Sequence, residues 1–222
     1  MTRSLFALFA ASAVALSPAA AERKPFTLDL GHAYVGWEID HFGYSNTVGQ
    51  FRVFDGTFEI DEARPARSRI AFEIDAASID SNHKGRDAHL RATDILNVEA
   101  HPTISFVSKK IRMTGEDEGQ VTGDLTFFGK TKPFTLDFRV TGDAPFASFL
   151  PRYDERRAVG FEASGRFDRI EHGFDVLNFP GSPLGRYIDL NIHFDLVDCA
   201  GAPANNIPCN YGRNDALEYP HE

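Results

Sequence analysis

Residues that could do chemistry are present in this chain but scattered. None of its eight histidines stands in an HxH or HExxH spacing, and none is set against cysteines at the intervals of a zinc site. No metal site is therefore assigned. Gly181-Ser182-Pro183-Leu184-Gly185 places a serine between glycines but does not fit the G-x-S-x-G elbow that exposes a nucleophile. No glycine-rich loop follows a strand and opens a helix, so nothing here cradles phosphate by that route. Carboxylates are plentiful, but no spacing sets two of them across a cleft, and no catalytic residue is assigned. What remains is a small polar set, His41, Arg86 and His89, suited to forming a polar ring near the mouth of a pocket. The plainer reading makes the histidines surface or capping residues and sets Arg86 and Asp87 at a helix start. There an Asp favours the helix dipole and an Arg can pair with a strand carboxylate.

The elements that would position this set follow a two-residue period. In residues 32 to 61, Val35, Trp37 and Ile39 alternate with Gly36, Glu38 and Asp40. Turn residues follow at Gly43, Ser45, Asn46 and Thr47, and Phe51 and Val53 resume the alternation. At Phe54 the apolar parity flips and continues through Gly56, Phe58 and Ile60, which predicts a bulge or bend near Val53–Phe54. Further alternating runs start at Phe26, Ile70, Ile104, Val121, Phe134, Val159 and Ile188, separated by Gly- and Pro-bearing turns. This is an all-β pattern of about eight antiparallel strands, a barrel or a sandwich, without the βαβ alternation of a parallel sheet. One stretch breaks the period. Gly85 to Leu96 is rich in Ala, Leu and Arg, with Ala88, Ala92 and Ile95/Leu96 able to share a helical face, and predicts a short helix ending before Asn97. A turn-rich segment spans Ile170 to Phe179.

Eight such strands can close, leaving no free edge, around an interior that is either filled or wide enough for one small ligand. The chain carries 20 Phe against one Trp and two Met. Phe suits an apolar slot and an ordinary core equally, so composition leaves both open. Strand length favours the slot. A run such as 187 to 197, at about 3.3 Å per residue, makes a barrel taller than a minimal core requires. Each buried CH₂ contributes roughly 0.8 kcal/mol, enough for a long chain to bind without any specific polar contact.

The ends differ from the middle. A basic start at Arg3, an apolar run from Leu5 to Leu16 and Ala19-Ala20-Ala21 read as a cleaved export signal over residues 1–21, too short for a bilayer span of roughly 20 residues. The domain is then 22–198, followed by a tail over 199–222. The net charge of −9 becomes one unit more negative without Arg3, which argues against nucleic acid and anionic membrane surfaces as partners. Cys199 and Cys209 are the only cysteines, and an exported chain meets an oxidising compartment, so a disulfide stapling the tail is expected.

Five stretches in order carry a resemblance. They are His32 to Ser45 with Gly49 to Gly56; Ala77-Ser78-Ile79-Asp80 with Arg86 to Leu90; His101 to Phe106; Gly123 to Pro133; and Gly160 to Arg169. Together they resemble the YceI-like family over about residues 26 to 197. The resemblance implies an extended, lipocalin-like barrel of eight antiparallel strands with a helix packed against it. It also implies a hydrophobic interior holding a polyisoprenoid or similar long-chain lipid, usually in the bacterial periplasm. The lipid-facing wall is then expected at Trp37, Ile39, Phe51, Phe58, Phe72, Phe106, Leu125, Phe127, Phe138, Phe161, Leu190 and Ile192, with His41, Arg86 and His89 as head-group contacts. Asp94-Ile95-Leu96-Asn97 departs from the family, which more often has two adjacent Phe residues there. No cofactor is implied beyond an isoprenoid lipid or quinone as bound ligand. Binding, storage or transport of such a lipid is the leading expectation. An enzyme acting on a lipid-like substrate in the same cavity and a filled-core stress-response protein are the alternatives. Exposed apolar patches at a barrel mouth would favour a homodimer.

Overall fold

The computed structural model describes residues 23–145, 156–202 and Cys209. The expected export signal, and the tail apart from Cys199 to Ala202 and Cys209, lie outside the described residues. Among the described residues ten strands form one sheet: β1 (Lys24–His41), β2 (Ser45–Phe51), β3 (Phe54–Ile60), β4 (Arg69–Asp75), β5 (Ile79–Asp80), β6 (Thr103–Met113), β7 (Glu118–Phe127), β8 (Lys130–Pro145), β9 (Arg157–Asp168) and β10 (Leu184–Val197). A helix, α1 (Lys84–Arg91), lies between β5 and β6. The sheet order places every strand beside an antiparallel neighbour, and β10 pairs back onto β1 from Thr27↔Val197 to His41↔Leu184.

The ten segments make an eight-stranded closed barrel because two strands are broken by bends. β2 and β3 are one strand interrupted at Arg52 and Val53. The β2 half pairs with the far half of β1, while β3 pairs with Lys24–Phe26 and with β4. The parity flip seen in the sequence is this break: Phe51 and Phe58 both face inward although their numbers differ in parity. β4 and β5 break in the same way around a short 3₁₀ turn at Ala76–Ser78, whose start is capped by the Asp75 carboxylate accepting from Ala77 N at 2.9 Å.

A second irregularity was not visible in the pattern. Residues 30 to 33 of β1 stand opposite Phe194 alone, so the buried parity of Phe26 and Leu28 gives way to that of Val35, Trp37 and Ile39. The bulge is held by Asp29, whose buried carboxylate accepts from Gly31 N at 3.0 Å and lies 2.8 Å from His32 Nδ1. The sequence reading treated Phe26–Leu30 and the run after His32 as two strands. They are one strand with a bulge, because backbone pairing to β10 resumes at Tyr34.

The predicted helix is shorter than expected. It stops at Arg91 because Ala92 is extended (ψ 162°), and Ile95 and Leu96 are buried from a turn instead of a helical face. Asn97, at φ 47°, reverses the chain. Among the described residues Arg86 pairs with no strand carboxylate. Its guanidinium donates to Ser81 Oγ and to the Ser81 carbonyl, both at 2.7 Å, while Asp87 accepts from Ser81 N and Oγ.

The barrel is apolar inside and polar outside, the reverse of a membrane-spanning barrel. Outward positions carry cross-strand pairs such as Arg166–Asp189, Arg139–Glu162 and the Arg112–Gln120–Asp137 chain. Among the described residues no helix is long and apolar enough to cross a membrane. Cys199 and Cys209 stand at disulfide distance, with Cα atoms 5.7 Å apart.

Candidate functional site

The lumen holds a cavity of about 640 Å³. That is about four times the ~150 Å³ apolar cavity that takes up benzene, and within the usual range of ligand sites. All twelve residues expected on the lipid-facing wall line it. Trp37 and Ile39 come from β1, Phe51 from β2, Phe58 from β3 and Phe72 from β4. Phe106 comes from β6, Leu125 and Phe127 from β7, Phe138 from β8, Phe161 from β9, and Leu190 and Ile192 from β10. The barrel brings these positions together from across the chain because each sits on the inward parity of its own strand.

Close approach of the aromatic rings to backbone shapes the wall. A Cβ at Gly123 would stand 2.6 Å from Phe106 Cζ, and one at Gly49 would stand 2.6 Å from Trp37 Cε2. Inward glycines therefore leave the space over which neighbouring rings lie flat. The rings form two groups. Near α1, Phe127, Phe134, Phe167 and Phe174 meet edge-on at 5.3–6.0 Å. Toward the other end, Phe54 stacks on Phe72 and Phe161 on Phe194, with Phe58 beside Phe72 and Phe194.

The two ends of the cavity are chemically different from its middle. At the α1 end, Leu90, Ile95, Leu96, Phe174 and Leu177 line it together with His41, Arg86 and His89. The three polar residues singled out from the sequence thus share one end. His89 Nε2 faces Asp94 Oδ2 at 3.3 Å, Arg86 is committed to Ser81, and the His41 ring packs edge-on against Phe42. Ile95 and Leu96, the departure from the family pattern, form part of this wall.

Sequence reasoning missed Arg169, which organises the loop over the α1 end. Its fully buried guanidinium donates to the carbonyls of Gly185, Phe174, Val176 and Leu184, at 2.6–3.3 Å, and lies over the Phe174 ring. Burial lowers its pKa, opposed by Asp168 and Asp175. The only signal was its place in a conspicuous stretch; nothing local marks a buried arginine. Around the same end, the turn residues Phe42 and Gly43 both have positive φ, and Phe42, Tyr44, Leu177 and Phe179 are exposed.

At the opposite end the lining includes Glu62, Glu116, Asp117, Asp143 and Arg157. Arg157 donates to both Asp143 oxygens at 2.7 and 2.6 Å and also reaches Glu62, just past β3, across the barrel base with β10 and β1 between. Hydrogen bonding from Arg157 holds the Asp143 carboxyl below its usual range, and the two carboxylates raise the guanidinium.

Comparison with known proteins gives a consistent picture. The YceI-like domain family matches residues 26–196. The protein YceI of Escherichia coli O157:H7 is 38% identical over 168 residues, covering 75% of this chain and 82% of that protein. Among solved structures, Burkholderia cenocepacia BcnA superposes with a TM-score of 0.65 at 22% identity, over 76% of this chain and 98% of BcnA. A polyisoprenoid binding domain from Saccharophagus degradans superposes with a TM-score of 0.53 at 12% identity, over 78% of this chain and 98% of that domain, a likeness of fold alone.

Proposed function

The chain belongs to the YceI-like domain family, and from that premise we propose that it binds a long-chain lipid in the barrel lumen. The observation that carries the reading is the cavity, about 640 Å³, walled by inward aromatic and aliphatic side chains and reaching from α1 to the Arg157 end. Such a wall favours a hydrocarbon chain by burial alone, at roughly 0.8 kcal/mol for each CH₂ removed from water. A polyisoprenoid or comparable chain suits the length of the lumen, and the like-folded Saccharophagus degradans domain is a polyisoprenoid binding domain. The proposed action is carriage or storage after export to the periplasm, supported by the basic and apolar leader over residues 1–21. The titratable lining groups stand at the two ends, and that placement counts against catalysis in the middle of the lumen. The hollow interior counts against a filled-core role. His41, Arg86 and His89 are proposed to meet a head group at the α1 end.

Native mass spectrometry of protein purified from its own host tests this. Retained lipid in the wild type, and none in a folded Phe106→Glu variant, is the expected result. A protein that retains nothing, and takes up no long-chain lipid when offered it, refutes the proposal.

A further inference from the structure

Large apolar side chains stand in water around the α1 end of the barrel. Phe42 is 52% exposed, Tyr44 88% and Phe179 53%, with Leu177 at 41%. They sit on two loops, the β1–β2 turn over 42–44 and the segment leading into β10, which are joined where Phe42 N donates to the Pro183 carbonyl at 3.1 Å. Leu177 also lines the lumen, so exposed apolar surface runs from the rim into the cavity. Building on the lipid-binding reading, we propose that this rim rests on the surface of a zwitterionic lipid bilayer, with Phe42, Tyr44 and Phe179 set among the head groups and Leu177 joining the bilayer to the lumen.

Three features select this partner. The first is backbone geometry. Phe42 and Leu177 have φ of 57° and 53°, in the left-handed region that favours Gly, Asn and Asp. Apolar side chains held there on exposed loops serve contact with something outside the chain. The loops are also fixed before contact. Asp40 accepts from Gly43 N at 3.0 Å, and Arg169 donates to the carbonyls of Phe174 and Val176, just before Leu177. The second is area. At about 200 Å² for a whole aromatic side chain, the exposures of Phe42, Tyr44 and Phe179 leave roughly 400 Å² in water, about half the ~800 Å² that each partner buries in a stable protein–protein interface. A second copy of the chain is therefore poorly held by this rim. A bilayer accepts a few inserted side chains, and tyrosine favours the head-group level. The third is charge. Arg86 is tied to Ser81, Arg169 to backbone carbonyls and Arg186 to Asp168 at 2.6 Å, while Asp40 and Asp175 flank the two loops. With a net charge of −9 the chain offers anionic lipid little attraction, so the surface it meets is zwitterionic.

Vesicle flotation with the protein purified from its host decides this. Wild type is expected to float with phosphatidylcholine vesicles, and adding phosphatidylglycerol should not raise the bound fraction. A variant carrying Phe42→Ser, Tyr44→Ser and Phe179→Ser should lower vesicle partitioning about tenfold, since binding scales with inserted apolar area. An unchanged Tm checks its fold. Should it fail to fold, Tyr44→Ser alone, at the most exposed of the three positions, should still weaken binding. Val107→Ser, at an exposed apolar position on β6, should leave binding unchanged. Wild type that stays in the soluble fraction, binding that requires phosphatidylglycerol, or equal binding by wild type and triple variant overturns the proposal. A wild-type dimer that ignores vesicles and that the triple substitution splits into monomers, read by light scattering, overturns it too and makes the rim an interface between copies. A long-chain lipid added from ethanol tests the lumen separately. Uptake by wild type and triple variant alike leaves the lipid reading standing whatever flotation shows. Failure of uptake by both removes that reading, and flotation still decides whether the rim meets a bilayer.

Discussion

Filling the lumen should stabilise the empty protein, whereas filling a packed core would not, and Ala163→Leu separates the two. Ala163 is buried, lines the cavity, and stands between Phe138 on β8 and Ile192 on β10. Leucine adds three carbons at about 0.8 kcal/mol each when buried. Restricting the longer side chain costs about 0.5–1 kcal/mol. The net is about 1.5 kcal/mol of added stability, which for a domain of this size raises Tm by about 3–6 °C. In a close-packed interior the same change would instead cost about 1–3 kcal/mol through forced rotamers. Thermal unfolding of delipidated wild type and variant, with reversibility checked, is the assay. Occupancy gives the opposite sign: a ligand that fills the lumen loses contact with about three methylenes' worth of wall, a weakening of up to roughly 50-fold. A variant that melts several degrees lower would show that the interior at Ala163 is packed, and the argument for a hollow barrel would fail there.

Burial raises the pKa of Asp195; His32 opposes it, and the Asp29 carboxylate adds a smaller push upward. The native state therefore holds this proton to higher pH than the unfolded chain, and stability falls as pH rises from about 3.9 through the raised native value. Asp195→Asn should be more stable than wild type at neutral pH and equal to it in strong acid, as read by urea unfolding at both; a constant difference would refute the assignment. Arg169→Lys should lose about 3 kcal/mol, because hydrogen bonds from a charged group contribute ~1.5–3 kcal/mol each and an ammonium cannot reach the same carbonyl set. Rapid hydrogen exchange across residues 170–183 would accompany the loss, and protection equal to wild type would count against the role assigned to Arg169. Arg157→Ala should change stability by less than about 1 kcal/mol, since the guanidinium and both partners stay partly in solvent. It should nevertheless speed release of a bound chain if the base of the barrel is a route of exit. An unchanged release rate in stopped-flow displacement would assign traffic to the α1 end.

The sequence by itself determined the strand count and the parity of each strand's apolar face, while the closed barrel decided that this face walls a hollow interior. Alternation at period two is a local property, and each strand declares its buried face without reference to its neighbours. That is why the apolar parity of the twelve cavity-lining residues was legible, and why the parity flip at Phe54 foretold the break at Arg52–Val53. The β1 bulge was not legible, because it exists only in the register of β1 against β10, where Asp29 faces Asp195 and Tyr34 faces His193, about 160 residues away. The helix was overextended because Ile95 and Leu96 fit a helical face equally well, and only the chain reversal at Asn97 decides for a turn. Arg169 shows the same limit from the polar side. A buried guanidinium is tolerable only where several carbonyls converge, and those carbonyls are gathered by the loop's return to β10.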